Sequence, residues 1–373
     1  MKELSLYIHI PFCVQKCIYC NFKSFPNQIN NIEKYFDKLY LEIEKVSQQY
    51  KDYIVKTVYI GGGTPSFPDS KYIVKMDNIL RHNFKFKKDI EYTIECNPNS
   101  LTEQKLIDYK TIGINRFSIG LQACQDDVLK FLNRPHTKRD FENCMYLLRT
   151  QNITNFNIDM LIGLPNQTLE MLKETLEYII NFNPTSISAY GLIIENNTQL
   201  KRLIQKNKVK PLDDDISVKY YDYVCNVLKK HAYKRYEVSN FAKKNHQSRH
   251  NMVYWENGDY LGIGLASHSK VGDTRFCNTE NFEKYINEEH KYYKKYHLST
   301  RDKFYERIML TLRTQKGLNI TQLNKEFNIN FKDLKSKEIK FLNDNKFIYF
   351  KGKYLKITQK GFKVLSSIID KLT

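Results

Sequence analysis

Between residues 4 and 192 the apolar pattern switches about six times between a two-residue and a 3.6-residue period, and this alternation limits the fold more than any other feature. Segments 4–10, 54–60, 90–96, 116–120, 156–162 and 186–192 alternate or run apolar over strand lengths. Between them, 32–50, 72–82, 102–112, 139–151 and 167–182 repeat their apolar residues on one helical face, with Thr102 or Ser100 placed to cap the third. A chain that alternates in this way predicts a parallel α/β sheet or barrel, whose chemistry gathers at the carboxyl ends of the strands. The informative loops fall there. A cysteine loop follows the first strand, Gly61-Gly62-Gly63 the second, and Glu95-Cys96-Asn97-Pro98 closes the third.

Past Glu195 the alternation fades. Segments 200–208 and 214–231 predict helices, 236–241 a strand, and 241–264 an irregular polar-aromatic stretch. From 301 onward the order is helix, helix (320–327), helix (331–343), two strands (347–351 and 354–358) and a last helix, the order of a winged helix. The expected division is a barrel domain over 1–235, a connecting region over 236–298, and a helical, winged-helix-like domain over 299–373.

The net charge is +18, and the segment from Arg301 to Thr373 carries ten of those charges. Such a balance suits nucleic acid, anionic lipid or acidic partners, or it reflects a Lys-rich composition on solvated faces. No Arg-rich recognition helix accompanies it: 331–343 holds Lys332, Lys335, Lys337 and Lys340 but also Asp333 and Glu338. Nucleic acid is therefore not expected, and docking on a membrane surface or an acidic protein is the better reading. No apolar run approaches the ~20 residues that span a bilayer. Glu3, a short apolar run, and Pro11 and Cys13 directly behind it do not make a secretory leader. The expectation is a cytoplasmic protein, with peripheral attachment at the inner membrane face left open.

Such a chain should keep its eight cysteines reduced. Cys96, Cys124, Cys144, Cys225 and Cys277 lie far apart and read as core residues. Cys13, Cys17 and Cys20 form C-x3-C-x2-C, three thiolates within eight residues. A four-iron cube and a structural zinc both want four ligands. One site therefore stays open. Either His9 or Cys96 completes a zinc centre, or a chelating small molecule, such as the amino and carboxylate groups of S-adenosylmethionine, takes the free iron of a cluster. Gly61-Gly62-Gly63-Thr64-Pro65 lets backbone approach a ligand closely, and the G-x-G-x-x-G dinucleotide pattern is absent.

The cysteine spacing, an aromatic before the last cysteine, and GGGTP one βα unit later together resemble the radical S-adenosylmethionine superfamily. The resemblance is closer to the branch of oxygen-independent coproporphyrinogen III dehydrogenase and its haem-chaperone (HemW-type) relatives. IHIPFCVQKCIYCNF, YIGGGTPS, IECNP, GINRFSIGLQ, LNRPH, NIDMLIGLPNQT, YEVSNFA and HNMVYW carry it. The resemblance implies a partial (β/α)6 barrel with an added region and a C-terminal helical or winged domain. It implies a [4Fe-4S] cluster on Cys13, Cys17 and Cys20, and S-adenosylmethionine lined by Tyr7 and Tyr19. Gly62, Gly63 and Thr64 would meet its methionine end. Glu95, Gln122, Arg134 and Asp159 match polar cofactor positions, and Gly191 lies near a strand end. In the dehydrogenase, an electron entering the cluster cleaves the sulfonium, hydrogen is taken from a propionate side chain and carbon dioxide leaves. No further catalytic residue is assigned.

Two departures separate this sequence from the dehydrogenase. That motif has a fourth Cys two residues past the third, where this chain has Phe22, and a long extension before the motif, where twelve residues precede Cys13. In addition, His250-Asn251-Met252-Val253-Tyr254-Trp255 resembles the H-N-x-x-Y-W motif of the chaperone branch, which is associated with haem. An imidazole can ligate haem iron, and Tyr254 with Trp255, the only Trp, offers flat apolar surface. The other reading is a packing cluster in which His250 bonds a backbone group. The expected function is a haem-binding radical-type protein that delivers haem to acceptor proteins and draws electrons from a small donor protein. The alternative is the coproporphyrinogen dehydrogenase. A radical methyltransferase or tRNA-modifying enzyme has no specific support.

Overall fold

The computed structural model describes residues 1–373. Its first half is β1 (Lys2–Ile10), α1 (Ile32–Ser47), β2 (Tyr53–Gly62), α2 (Ser70–Asn83), β3 (Lys85–Cys96), α3 (Glu103–Thr111), β4 (Arg116–Gln122), α4 (Asp126–Phe131), α5 (Lys138–Thr150), β5 (Phe156–Ile162), α6 (Leu169–Asn181) and β6 (Ser186–Gly191). β1 to β6 pair in chain order, each parallel to the next. Thr102 caps α3 by accepting from the Lys105 backbone N–H, so the capping reading holds. Only α4 has no counterpart in the sequence reading; its six residues are too few to show a period.

The sheet does not close. α7 (Gln199–Gln205), α8 (Asp214–Lys230), β7 (Lys234–Arg235), β8 (Asn240–Ala242), α9 (Arg249–Trp255), β9 (Tyr260–Ile263), β10 (His268–Val271), β11 (Thr274–Cys277), α10 (Phe282–Asn287) and β12 (Lys294–His297) follow. β8 and β7 add antiparallel beyond β6, and β9 to β12 extend the other edge from β1, giving twelve strands in one open, barrel-like sheet. The expected strand over 236–241 is interrupted. Glu237 accepts from the Ser239 N–H, Tyr236 N–H donates to Asn240 O, and the chain turns. The expected irregular stretch 241–264 holds α9 and β9; α9 has seven residues and announces itself only by its cap, Ser248.

The remainder is α11 (Thr300–Thr311), β13 (Leu318–Asn319), α12 (Ile320–Phe327), α13 (Phe331–Leu334), α14 (Ser336–Asp344), β14 (Ile348–Lys351), β15 (Tyr354–Ile357), α15 (Gln359–Phe362) and α16 (Leu365–Leu372). A three-stranded sheet and the helices share their own core around Leu323, Phe331 and Leu355. The expected helix over 331–343 is two pieces, broken at Lys335, which leaves helical backbone angles.

Both faces of the parallel strands are covered, yet the two faces differ. Leu4, Leu6, Ile8 and Ile10 of β1 pack in one core with Tyr35, Phe36, Leu39 and Ile43 of α1. The alternate residues are polar: Ser5 and His9 on β1, Thr57 on β2, Glu91 and Thr93 on β3, Ser118 on β4, Asn157 on β5, Ser188 on β6, all buried. Buried polar groups must pair with one another. Thr57 donates to Ser5 at 2.7 Å, and the Asn157 amide donates to Ser118, Asp159 and Ser188 at 3.1, 2.6 and 2.8 Å. At the amino-terminal side of the strands, α9 plugs the interior. The Glu91 carboxylate accepts the N–H groups of Arg249 and His250, both at 2.8 Å, satisfying donors that a helix start leaves free.

That cap is testable. Glu91→Ala leaves two N–H groups of the plug without an acceptor and should lower stability by about 1–3 kcal/mol. Glu91→Gln keeps one acceptor and should cost less. Denaturant midpoints for the three proteins decide it, and equal midpoints for wild type and Glu91→Ala refute the cap.

Candidate functional site

At the carboxyl ends of β1 to β6 lies a cavity of about 370 Å³. Cys13, Cys17 and Cys20 line it from the loop after β1, and Gly62, Gly63 and Thr64 from the loop after β2. Glu95 and Gln122 line it from the ends of β3 and β4 and Asp159 from the middle of β5, with Tyr19, Arg134 and Gly191 completing the wall. Of the residues expected around the cofactor, Tyr7 alone is not on this wall. It lies one layer deeper, with its hydroxyl 3.0 Å from His9 Nδ1 and its ring stacked on Tyr59. His250, Tyr254 and Trp255 are not part of the cavity; they sit on the plug.

The glycine bend is shaped by packing. A Cβ on Gly63 would lie 2.6 Å from Phe12 O and 3.0 Å from Cys13 Sγ, so only glycine lets the bend press against the cysteine loop. Gly62 has φ +117° and lies under the His9 ring. Thr64 Oγ1 donates to Cys13 Sγ at 3.6 Å, and Arg134 Nη1 to Cys17 Sγ at 3.4 Å.

Arg134 is held by Gly120 O at 2.7 Å and by the Asn97 side chain, while its Nε is buried with no partner. Sequence reasoning missed Asn97 and Tyr190, both on the wall. It also gave no sign that Gln122 adopts φ +76° at a register shift between β4 and β5. Such a bulge re-aims a side chain, here into the cavity.

The donor set discriminates between metals. Burial pushes the Cys13 thiol up and that of Cys20 to about 11, so thiolates there call for a cation. The three thiols share the wall of one cavity. His9 cannot complete a zinc site: Nε2–H donates to Lys23 O at 2.8 Å and Nδ1 accepts from Tyr7. Cys96 is buried with its Sγ toward Ile94 O. Three soft thiolates on one cavity wall, with neither His9 nor Cys96 free as a fourth donor, fit an iron–sulfur cluster with one free corner.

Two carboxylates line the same cavity. Glu95 accepts from Tyr59 Oη at 2.7 Å and from the Gly62 N–H at 3.2 Å, and burial pushes it up to about 7, with Asp159 adding to the rise. Burial also raises Asp159, against the bonds from Ser188 and Asn157. Paired acceptors beside an unpartnered guanidinium Nε suit a ligand with hydroxyls and a carboxylate.

The plug carries different geometry. His250 is 0 % exposed. Its Nδ1 is 2.8 Å from Thr57 Oγ1 and its Nε2 2.8 Å from Tyr254 Oη. Thr57 gives its hydroxyl proton to Ser5, so Nδ1–H donates to Thr57 and the Nε2 lone pair accepts from Tyr254. In this conformation no ring nitrogen is free for iron. Burial lowers its basicity to about 3, with Arg116 and Lys56 adding to the effect. Tyr254 and Trp255 are half-buried. At the position of the fourth cysteine, Phe22 is 68 % exposed at the cavity mouth.

Comparison with known proteins follows the same lines. Residues 7–179 match the radical SAM superfamily and 298–364 the HemN C-terminal domain. The chain is 36 % identical to heme chaperone HemW of Buchnera aphidicola (from Schizaphis graminum) over 99 % of this chain and 98 % of that one. It is 29 % identical to heme chaperone HemW of Bacillus subtilis, covering 96 % of each, and 36 % identical to that of Escherichia coli over 73 % and 71 %. Among solved structures, coproporphyrinogen III oxidase (HemN) of Escherichia coli, a radical SAM enzyme, superposes with a TM-score of 0.87 at 22 % identity, over 100 % of this chain and 90 % of that one.

Glu95 offers a direct titration. Because its folded value is raised, its contribution to stability is full below about 4.5 and is lost as pH climbs through about 7. Glu95→Gln should flatten that part of the stability profile. The Glu95 carboxyl ¹³C shift should move with a midpoint near 7 in the wild type and higher in Tyr59→Phe, which removes a bond to the charged form. A midpoint near 4.5 in the wild type contradicts the burial.

Proposed function

The chain belongs to the radical SAM superfamily and, within it, to the HemW family, and from that premise we propose that it binds haem and hands it to acceptor proteins, holding a [4Fe-4S] cluster on Cys13, Cys17 and Cys20 with S-adenosylmethionine beside it. The observation that carries the proposal is the single cavity. It gathers the thiol trio, the triple-glycine bend and the Glu95 and Asp159 carboxylates from loops spread over more than a hundred residues. When bound, such a pair supplies one-electron cleavage of a sulfonium.

The chain's own residues do the holding. Thr64 and Arg134 donate toward the sulfurs of Cys13 and Cys17. Arg134 Nε is positioned as a donor for a carboxylate, Glu95 and Asp159 as acceptors for ribose hydroxyls, and Gly62 and Gly63 leave room for the methionine end. Tyr19 closes one wall, and Gln122, turned by the bulge, offers an amide.

Haem is assigned to the plug motif. His250 would hold the haem through Nε2 if Tyr254 released that nitrogen, and Tyr254 and Trp255 would supply apolar ring surface. No helix is long and apolar enough to cross a membrane. The coproporphyrinogen dehydrogenase reading rests on the shared fold and is disfavoured by Phe22 in place of a fourth cysteine.

Protein reconstituted anaerobically with iron and sulfide should be brown, and Cys17→Ser should lose the colour and most of the iron, because three thiolates are the minimum set. One zinc per chain in place of iron and sulfide would falsify the cluster. Haem titration read at the Soret band should give a saturable spectrum that changes in His250→Ala, whereas unchanged affinity and spectrum remove His250 from the haem site. Catalytic decarboxylation of coproporphyrinogen III by the reduced, reconstituted protein would overturn the chaperone assignment.

A further inference from the structure

Glu91, which caps the plug, and Glu95, at the cavity, are four residues apart on β3, roughly 13 Å along the strand. One side chain meets both the plug and Glu95. Tyr59, on β2, lays its ring against that of His250, with centroids 5.1 Å apart and planes 31° from parallel. Its hydroxyl donates to Glu95 Oε1 at 2.7 Å. It also stacks with Tyr7, at 6.3 Å between centroids and 27° between planes. His250 is fixed in turn by Thr57 and Tyr254, each at 2.8 Å.

Building on the assignment of the cavity to S-adenosylmethionine, we infer that Tyr59 is a positioning residue that couples the seating of His250 to the orientation of Glu95, so that withdrawing His250 from the barrel weakens cofactor binding. Glu95 has two anchors, the Tyr59 hydroxyl and the Gly62 N–H. The ring that carries the Tyr59 anchor is held by its contacts with His250 and Tyr7, and the His250 contact is the closer. When His250 leaves, one face of Tyr59 empties, the ring gains rotational freedom, and Glu95 loses a charge-stabilising bond at the acceptor a ribose needs. If His250 were to hold haem iron through Nε2, as proposed above, its bond to Tyr254 would be given up and its seat with it. Coupling of this kind is reciprocal. A cofactor that fixes Glu95 also fixes Tyr59 and keeps His250 seated, so the cofactor and a haem ligated by His250 oppose each other.

The test uses the full chain, reconstituted anaerobically, and equilibrium dialysis with labelled S-adenosylmethionine. Wild type, Tyr59→Phe, His250→Ala, His250→Gln and the double variant Tyr59→Phe/His250→Ala are compared. Tyr59→Phe and His250→Ala should each weaken binding at least about five-fold, and the double variant should be no weaker than either single one. His250→Gln, whose amide can bond both Thr57 and Tyr254, should recover to within about two-fold of wild type. Wild-type affinity in His250→Ala, or losses that multiply in the double variant, overturns the coupling. Wild-type protein that binds no S-adenosylmethionine sinks the reading of the cavity itself, a separate result. If His250→Ala does not fold, haem replaces it as the probe. Saturating haem should weaken S-adenosylmethionine binding about five-fold in wild type and leave it unchanged in Tyr59→Phe; an equal effect in both, or none in wild type, refutes the inference.

Discussion

Every feature of the molecule depends on a barrel interior that is polar and sealed. A parallel sheet covered by helices is ordinarily apolar on both faces. Here the inward residues of β1 to β6 are hydroxyls, amides, carboxylates and a histidine, and water is shut out of most of them. Each such group costs about 1–3 kcal/mol if left unpaired. The interior therefore works as a unit: Asn157 ties three strands, Thr57 bridges Ser5 and His250, and Glu91 reaches to a helix that arrives much later in the chain. The plug is what makes such an interior tolerable. Without α9, the Glu91 carboxylate would be a buried anion with no donors, and the amino-terminal side of the barrel would be open.

Much of this was legible as pattern. Strand and helix alternation located β1 to β6, the strand over 156–162 matches to the residue, and Thr102, one of two cap candidates, caps α3. Long periodic segments declare themselves because the core reads the period directly. The cavity residues were legible by resemblance, because loops at strand ends carry fixed chemistry on a scaffold that varies. What was hidden depends on three dimensions. The seven residues of α9 are too few for a period, and Gln122 reverses its φ because of a bulge that only strand pairing reveals. Tyr59 sits in an alternating strand where every second residue faces in, yet nothing local says that its ring meets residue 250.

The histidine of the HNMVYW stretch illustrates how a motif and a conformation can disagree. Its residues fit a haem contact by type: an imidazole, a phenol and an indole within six positions. Its geometry is that of a satisfied core histidine, with one nitrogen donating and the other accepting. The two readings meet in the tautomer. Because Thr57 spends its proton on Ser5, the lone pair is left on Nε2, the nitrogen nearer Tyr254. The motif thus carries its own stopper: the tyrosine four residues on, one helical turn away, covers the atom that iron needs. Opening that contact exchanges one neutral hydrogen bond for a metal bond. The larger cost is the loss of ring packing against Tyr59.

That cost explains why a haem motif would be built into the barrel at all. A ligating histidine on an exposed loop would bind haem independently of the cofactor cavity. Seated beneath Tyr59, its release is linked to the state of Glu95. β3 sets the distance, since Glu91 and Glu95 share its inward face with Thr93 between them, and a strand has little freedom to stretch. The rigid element holds both ends, and a single aromatic ring spans the gap. Linking the seat of one side chain to a second ligand gives its release a control that affinity alone lacks.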